Sequence, residues 1–125
     1  MEHIRRIDFA ALRASADRFT QRLLDRTSGA TACSVSCIKT PARSGSPEGL
    51  HTHAVDQIFY VLEGRMNVEV DGETHEAGPG TLVVFPAGVP HRNWNAGDEA
   101  TVHLSISAPL PDPGVPFATP VPSGA

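Results

Sequence analysis

The sequence has neither a surplus of basic charge nor a long apolar run. Its 125 residues carry a formal net charge of −4, so no basic patch is available to neutralise phosphates, and we expect no nucleic-acid partner. No apolar run is long enough to cross a bilayer, and no apolar signal core follows residues 1–6. We therefore expect a cytoplasmic protein with no membrane partner.

Cysteine is scarce, since the chain contains only Cys33 and Cys37. Four residues of strand would place their Cα atoms about 13 Å apart, which is too far for a disulfide between them. A second cysteine pair that could complete a zinc site is also missing from the sequence. We expect both cysteines to be small buried core residues.

The N-terminal residues predict one helix over residues 8–25. Asp8 can cap its first turn, and apolar residues such as Phe9 and Leu12 recur at helical spacing. The sequence Ser28-Gly29 would end it. The arginines of this region alternate with aspartates, which is typical of a solvated helix face. They are Arg5, Arg6, Arg13, Arg18, Arg22 and Arg26.

From residue 30 onward, short segments rich in Val, Ile, Phe and Thr alternate with Gly, Pro and Asp. About eight short strands with no helix between them predict an antiparallel sandwich or barrel. The predicted strands cover residues 32–39, 50–53, 57–63, 65–70, 73–77, 81–86, 91–95 and 100–107. The sequence Asp71-Gly72 predicts a tight hairpin turn, because glycine adopts positive φ at little cost.

The C-terminal residues are rich in proline, which cannot pair inside a sheet. We expect an extended tail over residues 109–125 that lies along the surface or frays. Residues 41–49 form a Pro/Gly/Ser loop, which we expect at the mouth of the barrel. The predicted organisation is thus a helical arm at 1–29, a barrel at 30–108 and a proline-rich tail at 109–125.

Three histidines and one glutamine are the candidate metal ligands. His51 and His53 stand two residues apart and Gln57 four further on, so all three point to one face of a strand. Together with His91 from elsewhere in the fold, they can hold one divalent metal ion.

The spacing of these residues resembles the two motifs of the cupin superfamily. The first reads G-x5-H-x-H-x3,4-E-x6-G, and Gln57 stands where its glutamate is usual. The second reads G-x5-P-x-G-x2-H-x3-N and is matched throughout. The matching residues are Gly45, His51, His53 and Gly64 in the first motif, and Gly80, Pro86, Gly88, His91 and Asn95 in the second.

The resemblance covers roughly residues 31–108. It implies an all-β fold, a double-stranded β-helix or jelly-roll barrel, here with a short N-terminal helix and a proline-rich tail added. It also implies a metal site in the open end of the barrel, formed by His51, His53, Gln57 and His91. Finally, it implies a homodimer.

A glutamine in place of glutamate changes the expected chemistry of the site. Imidazoles suit zinc, iron, copper, nickel and, with oxygen ligands, manganese, so one of these divalent ions is the predicted cofactor. Gln57 offers a carbonyl oxygen without charge and without a useful pKa. It either ligates the metal or donates an N–H to a bound oxygen. The metal would therefore keep its full charge and act as a Lewis acid on an anionic oxygen ligand.

Three functions follow from this site. The first is a metal-dependent enzyme that isomerises, cyclises or cleaves a small enolisable or carboxylate compound, with no catalytic residue assigned. Cupins with glutamine at this position resemble in part those that convert unsaturated uronates and those attached to polyketide cyclisation. The second is a metal-dependent dioxygenase. The third is a non-catalytic cupin that binds a metal or a small ligand.

Four further side chains have alternative interpretations. Phe59 points inward and is either a wall of the pocket or ordinary core. His103, on the last strand, is either an outward surface histidine or a proton-transfer group near the metal. Arg43 and Arg65 are either anchors for a substrate carboxylate or plain surface charges.

Overall fold

Two antiparallel sheets form the body of the protein in this computed structural model, which describes residues 2–45 and 49–122. The helix and the strands, in chain order, are α1 Phe9–Ala14, β1 Phe19–Leu24, β2 Ser34–Thr40, β3 Ser44–Gly45, β4 His51–His53, β5 Asp56–Glu63, β6 Met66–Val70, β7 Glu73–Ala77, β8 Leu82–Phe85, β9 His91–Asn95, β10 Thr101–Ala108 and β11 Ala118–Pro120. A 3-10 turn covers Arg26–Ser28.

The first sheet has the strand order β1-β2-β10-β5-β8, and the second has the order β11-β4-β9-β6-β7, with β3 also paired to β9. A cluster of buried side chains from both sheets lies between them. It consists of Phe59, Val61 and Phe85 from the first sheet and Met66, Val68 and Ala77 from the second. This is the jelly-roll barrel that the sequence predicted.

The eight strands predicted from residue 30 onward are confirmed as β2 and β4 to β10, with ends that move by two residues at most. The predicted turn at Asp71-Gly72 joins β6 to β7, and Val70 pairs with Glu73 across it. Asp71 has φ 51° and Gly72 has φ 82°, the left-handed conformation that a two-residue hairpin requires. Residues 46–48 of the predicted loop and 123–125 of the predicted tail lie outside the described residues.

The helix predicted over residues 8–25 was wrong in its second half. Asp8 does cap the helix, because its carboxylate accepts a hydrogen bond from the Ala11 N–H. However, α1 ends at Ala14, and residues 19–24 form β1, which pairs with β2. Apolar residues at 19 and 23 fit both periods, and pairing with a neighbouring strand outweighs weak local propensity. The first sheet therefore extends into the segment that was predicted to be a helical arm.

The helix α1 covers the outer face of the first sheet. Leu12 is buried there beside Cys37 of β2 and Val102 of β10. Cys37 is buried as predicted, Cys33 is partly exposed, and both cysteines are free.

Next to this covered region, the outer face of β5 and β8 is apolar and exposed. Tyr60, Leu82 and Val84 are 38%, 59% and 47% exposed. The predicted homodimer stays a prediction. No helix among the described residues is long and apolar enough to span a membrane.

Candidate metal centre

The three histidines of the predicted site meet at one point of the second sheet. His51 and His53 lie on β4, and His91 begins β9, directly opposite His51 in the strand pairing. Their ring centroids are 4.5 to 4.9 Å apart. One nitrogen of each ring lies within 4.8 Å of the others, so the three can reach a single ion.

Backbone carbonyls fix the orientation of all three rings. The Nδ1 atoms lie 3.2 Å from the Gly49 carbonyl oxygen for His51, 2.7 Å from that of Phe117 for His53, and 3.0 Å from that of Val89 for His91. A carbonyl oxygen only accepts hydrogen bonds, so each Nδ1 must carry the proton. The Nε2 atoms are then left unprotonated, each with a lone pair available for a metal ion.

A metal ion fits these nitrogens. The Nε2 atoms of His53 and His91 are buried and have no hydrogen-bond partner among the described residues. A buried polar atom without a partner costs free energy, which a ligand in the site would recover. His51, His53 and His91 can therefore hold a metal through Nε2.

Burial also keeps the ligands in the correct protonation state. Burial lowers the pKa of His53, partly opposed by its hydrogen bond to Phe117. The same effect lowers the pKa of His91 to about 4, and the neighbouring His51 contributes in the same direction. Both rings are consequently neutral at neutral pH, which is the form that binds a metal.

The turn before β9 positions His91 against β4. Gly88 has φ 78°, a conformation that favours glycine, and its N–H donates to the His53 carbonyl oxygen at 2.9 Å. The next residue, Val89, supplies the carbonyl that orients His91. One short turn thus joins two of the histidines.

Gln57 lies on the inner face of β5 and is 6% exposed. Its amide nitrogen donates to the Ser105 hydroxyl at 3.1 Å. This bond leaves the amide oxygen as the atom of Gln57 that remains for a metal or a bound ligand. Its role as the fourth metal ligand stays a prediction.

A cavity of about 760 Å³ begins at His51, His53 and Gln57. This is the size of a typical small-molecule pocket. Its polar wall comes from the first sheet and its apolar wall includes Phe59, so Phe59 belongs both to the pocket and to the core. The hydroxyls of that polar wall belong to Thr20, Ser34, Ser36, Ser105 and Ser107.

The C-terminal tail closes one side of this cavity. Its strand β11 pairs with β4 along the edge of the second sheet, where proline is tolerated. The Phe117 ring packs on the His53 ring at 4.4 Å, in addition to the hydrogen bond from His53 to the Phe117 carbonyl. Arg26 holds the tail from the other side by donating to the Pro111 carbonyl. Proline content predicted an extended tail but carried no signal for where it would lie.

His103 is fully buried, so the interpretation as a surface histidine was wrong. Its ring packs on Phe59 at 4.2 Å, and neither of its nitrogens has a hydrogen-bond partner among the described residues. Burial lowers the pKa of His103 to about 3, with a smaller contribution from Arg18. His103 does not line the cavity, and Phe59 and Phe85 lie between it and His91 in a chain of packed rings.

Neither predicted carboxylate anchor reaches the cavity. Arg43 pairs with Asp98, and Arg65 pairs with Glu76 at 3.1 Å. Both pairs are well exposed, so these arginines are surface charges.

The family model described as cupin domain matches residues 41–107. Among curated proteins, the chain is 38% identical over 76 residues to polyketide synthase CurC of Streptomyces cyaneus. That match covers 58% of this chain and 49% of the relative, so the chain spans about half the length of this relative.

Solved structures share the fold. The polyketide cyclase RemF from Streptomyces resistomycificus is 26% identical, with a TM-score of 0.68 over 81% of this chain and 70% of that one. KdgF from Halomonas sp. is 21% identical, with a TM-score of 0.65 over 82% of this chain and 87% of that one.

The contact between Phe117 and His53 predicts that the tail supports metal binding. A chain that ends at Leu110 loses the carbonyl acceptor of His53, and we expect its affinity for zinc to fall about tenfold or more. Calorimetric titration with zinc measures this. A chain that ends at Pro122 keeps β11 and should bind as the full chain does. Equal affinities for all three chains would contradict the proposed role of the tail.

The burial of His103 predicts a pH-dependent stability. In the unfolded chain His103 takes up a proton below its ordinary pKa of 6.5, whereas in the folded chain it stays neutral down to about 3. Stability is therefore lost as the pH falls below 6.5, by up to about 1.4 kcal/mol per pH unit. His103→Gln should show a shallower fall. Urea unfolding of both metal-free proteins over this pH range measures the difference, and identical slopes would show that His103 is not protected from protonation.

Proposed function

The chain belongs to the cupin family, and from that premise we propose that it is a metal-dependent enzyme acting on a small, enolisable oxygen compound by cyclisation, isomerisation or lyase chemistry. The convergence of three carbonyl-anchored imidazoles on one point, at the end of a cavity of about 760 Å³, carries the proposal. The anchors fix three Nε2 lone pairs before any ligand arrives, so little ordering has to occur on binding.

His51, His53 and His91 would hold the metal, and Gln57 would complete or border its coordination. A divalent ion held by these neutral side chains supplies a Lewis acid that stabilises negative charge on a substrate oxygen. The protein itself supplies orientation. Gln57 is held by Ser105 and cannot rotate freely, so its amide is in a fixed position toward the substrate.

The walls of the cavity suit an oxygenated ring or chain. The hydroxyls of Ser36, Ser105 and Ser107 offer hydrogen bonds along one side. Phe59 and Phe117 offer flat apolar surfaces and exclude water from the histidines. Such a surface can hold a substrate in one folded conformation, which is what a cyclisation needs.

Two relatives favour cyclisation among the three reactions. One is named a polyketide synthase protein and is 38% identical over the matched stretch, and the other is described as a polyketide cyclase and is 26% identical. Residue 57 also favours this chemistry over oxygenation, because an amide cannot act as the base that a glutamate provides.

Metal content tests the ligand set. His91→Ala should lose at least tenfold in zinc affinity, because it deletes a direct ligand. Gln57→Glu should bind zinc as well as or better than wild type, because it adds a negative charge beside the ion. Elemental analysis after dialysis measures both. Full occupancy in His91→Ala would refute the site.

Turnover tests the reaction class. The metal-loaded protein, incubated with linear poly-β-ketones or unsaturated uronates, should give products at equal rates with and without oxygen. His91→Ala should be inactive in the same assay. Product formation that requires oxygen would instead support a dioxygenase, and reversible binding without any product would support a binding protein.

A further inference from the structure

The strand β1 places two arginines in the wall of the cavity. Side chains alternate along a strand, and Phe19 and Leu23 pack outward against the cluster around Leu12. The side chains between them therefore face inward, and Arg18 and Arg22 line the cavity. The sequence did not reveal this arrangement, because a helix over the same residues would place the arginines on a solvated face.

Neither of these guanidinium groups is matched by a carboxylate. Among residues 2–45 and 49–122, Arg18 and Arg22 donate no side-chain hydrogen bond and form no ion pair. Most other arginines of the chain are engaged. Arg13, Arg43, Arg65 and Arg92 pair with Glu63, Asp98, Glu76 and Glu69.

The aspartates of the cavity lining do not neutralise them. The Asp25 carboxylate accepts hydrogen bonds from Thr27 and Ser28, which hold it in the cap of the 3-10 turn. Asp112 is the second acidic group of the lining. With Arg26 included, three arginines face two aspartates, so the lining is positive although the chain as a whole carries −4.

The opposite end of the cavity also favours negative charge. The predicted metal ligands are all neutral, so a bound divalent ion would keep its full charge there. Between the two positive regions lie the hydroxyls of Ser34, Ser36 and Ser105, which bond to oxygen atoms equally well as donors or acceptors.

We infer that Arg18 and Arg22 form a carboxylate-binding subsite, so that the preferred substrate carries an enolisable carbonyl at the metal end and a free carboxylate at the β1 end. Guanidinium groups bind carboxylates through paired, parallel hydrogen bonds, which gives orientation as well as affinity. The inference rests on the proposed function in one respect, namely that the metal holds the other end of the substrate.

A pair of hydroxypyranone chelators tests the subsite. Comenate and kojic acid carry the same metal-chelating oxygens, but comenate has a carboxylate where kojic acid has a hydroxymethyl group. The zinc-loaded wild type should bind comenate more tightly, by roughly tenfold or more, as expected for a charge-assisted hydrogen bond. The doubly substituted variant Arg18→Gln/Arg22→Gln should bind kojic acid unchanged and lose the preference for comenate. Isothermal calorimetry measures all four affinities.

Arg13→Gln/Arg65→Gln is the matched control, because it removes the same charge from arginines outside the cavity. This variant should keep the preference. The preference of the wild type should also weaken as salt is added. Equal binding of the two chelators by the wild type, or a preference that survives in Arg18→Gln/Arg22→Gln, would overturn the subsite alone. Zinc-loaded protein that binds neither chelator would overturn the proposed function together with it.

Discussion

The orientation of three imidazole rings by three backbone carbonyls is the constraint on which the site depends. Each carbonyl belongs to a different segment: Gly49 precedes β4, Val89 lies in the turn before β9, and Phe117 belongs to the tail. Because each one fixes the proton on Nδ1, all three must be in place before the Nε2 atoms can converge. The site therefore depends on how the segments of the barrel pack together, although only His51, His53 and His91 are its direct ligands.

The same requirement explains why the tail belongs to the functional part of the protein. Phe117 packs on His53 and accepts its hydrogen bond, and the neighbouring residues form one side of the cavity. The first sheet forms the facing side, with hydroxyls and arginines that complement an oxygen-rich, anionic ligand. The cavity thus combines a neutral ligand set for a cation with a positive wall for an anion, and both features favour an acidic oxygen compound.

Strands and metal ligands were predictable because their signals are local. His51, His53 and Gln57 share a face by the period of two, and the glycine and proline spacing places His91 at the start of a strand. The structure bears out the three histidines as a cluster. The prediction failed at residues 19–24, where apolar spacing fits a helix and a strand equally well and the choice depends on pairing with β2. It failed at His103 because alternation shows that a residue changes face, but not which face the barrel covers.

The sequence by itself therefore determined the barrel, the hairpin at Asp71-Gly72 and the histidine cluster, since each depends on the spacing of residues close together in the chain. The tertiary structure alone decided three things: the inward placement of Arg18 and Arg22, the burial of His103, and the contact of Phe117 with His53. These depend on pairing between residues distant in sequence, as between β1 and β2 or between β11 and β4. Local spacing carries no record of such pairing, because the free energy that selects it comes from burial and hydrogen bonds formed only in the complete fold.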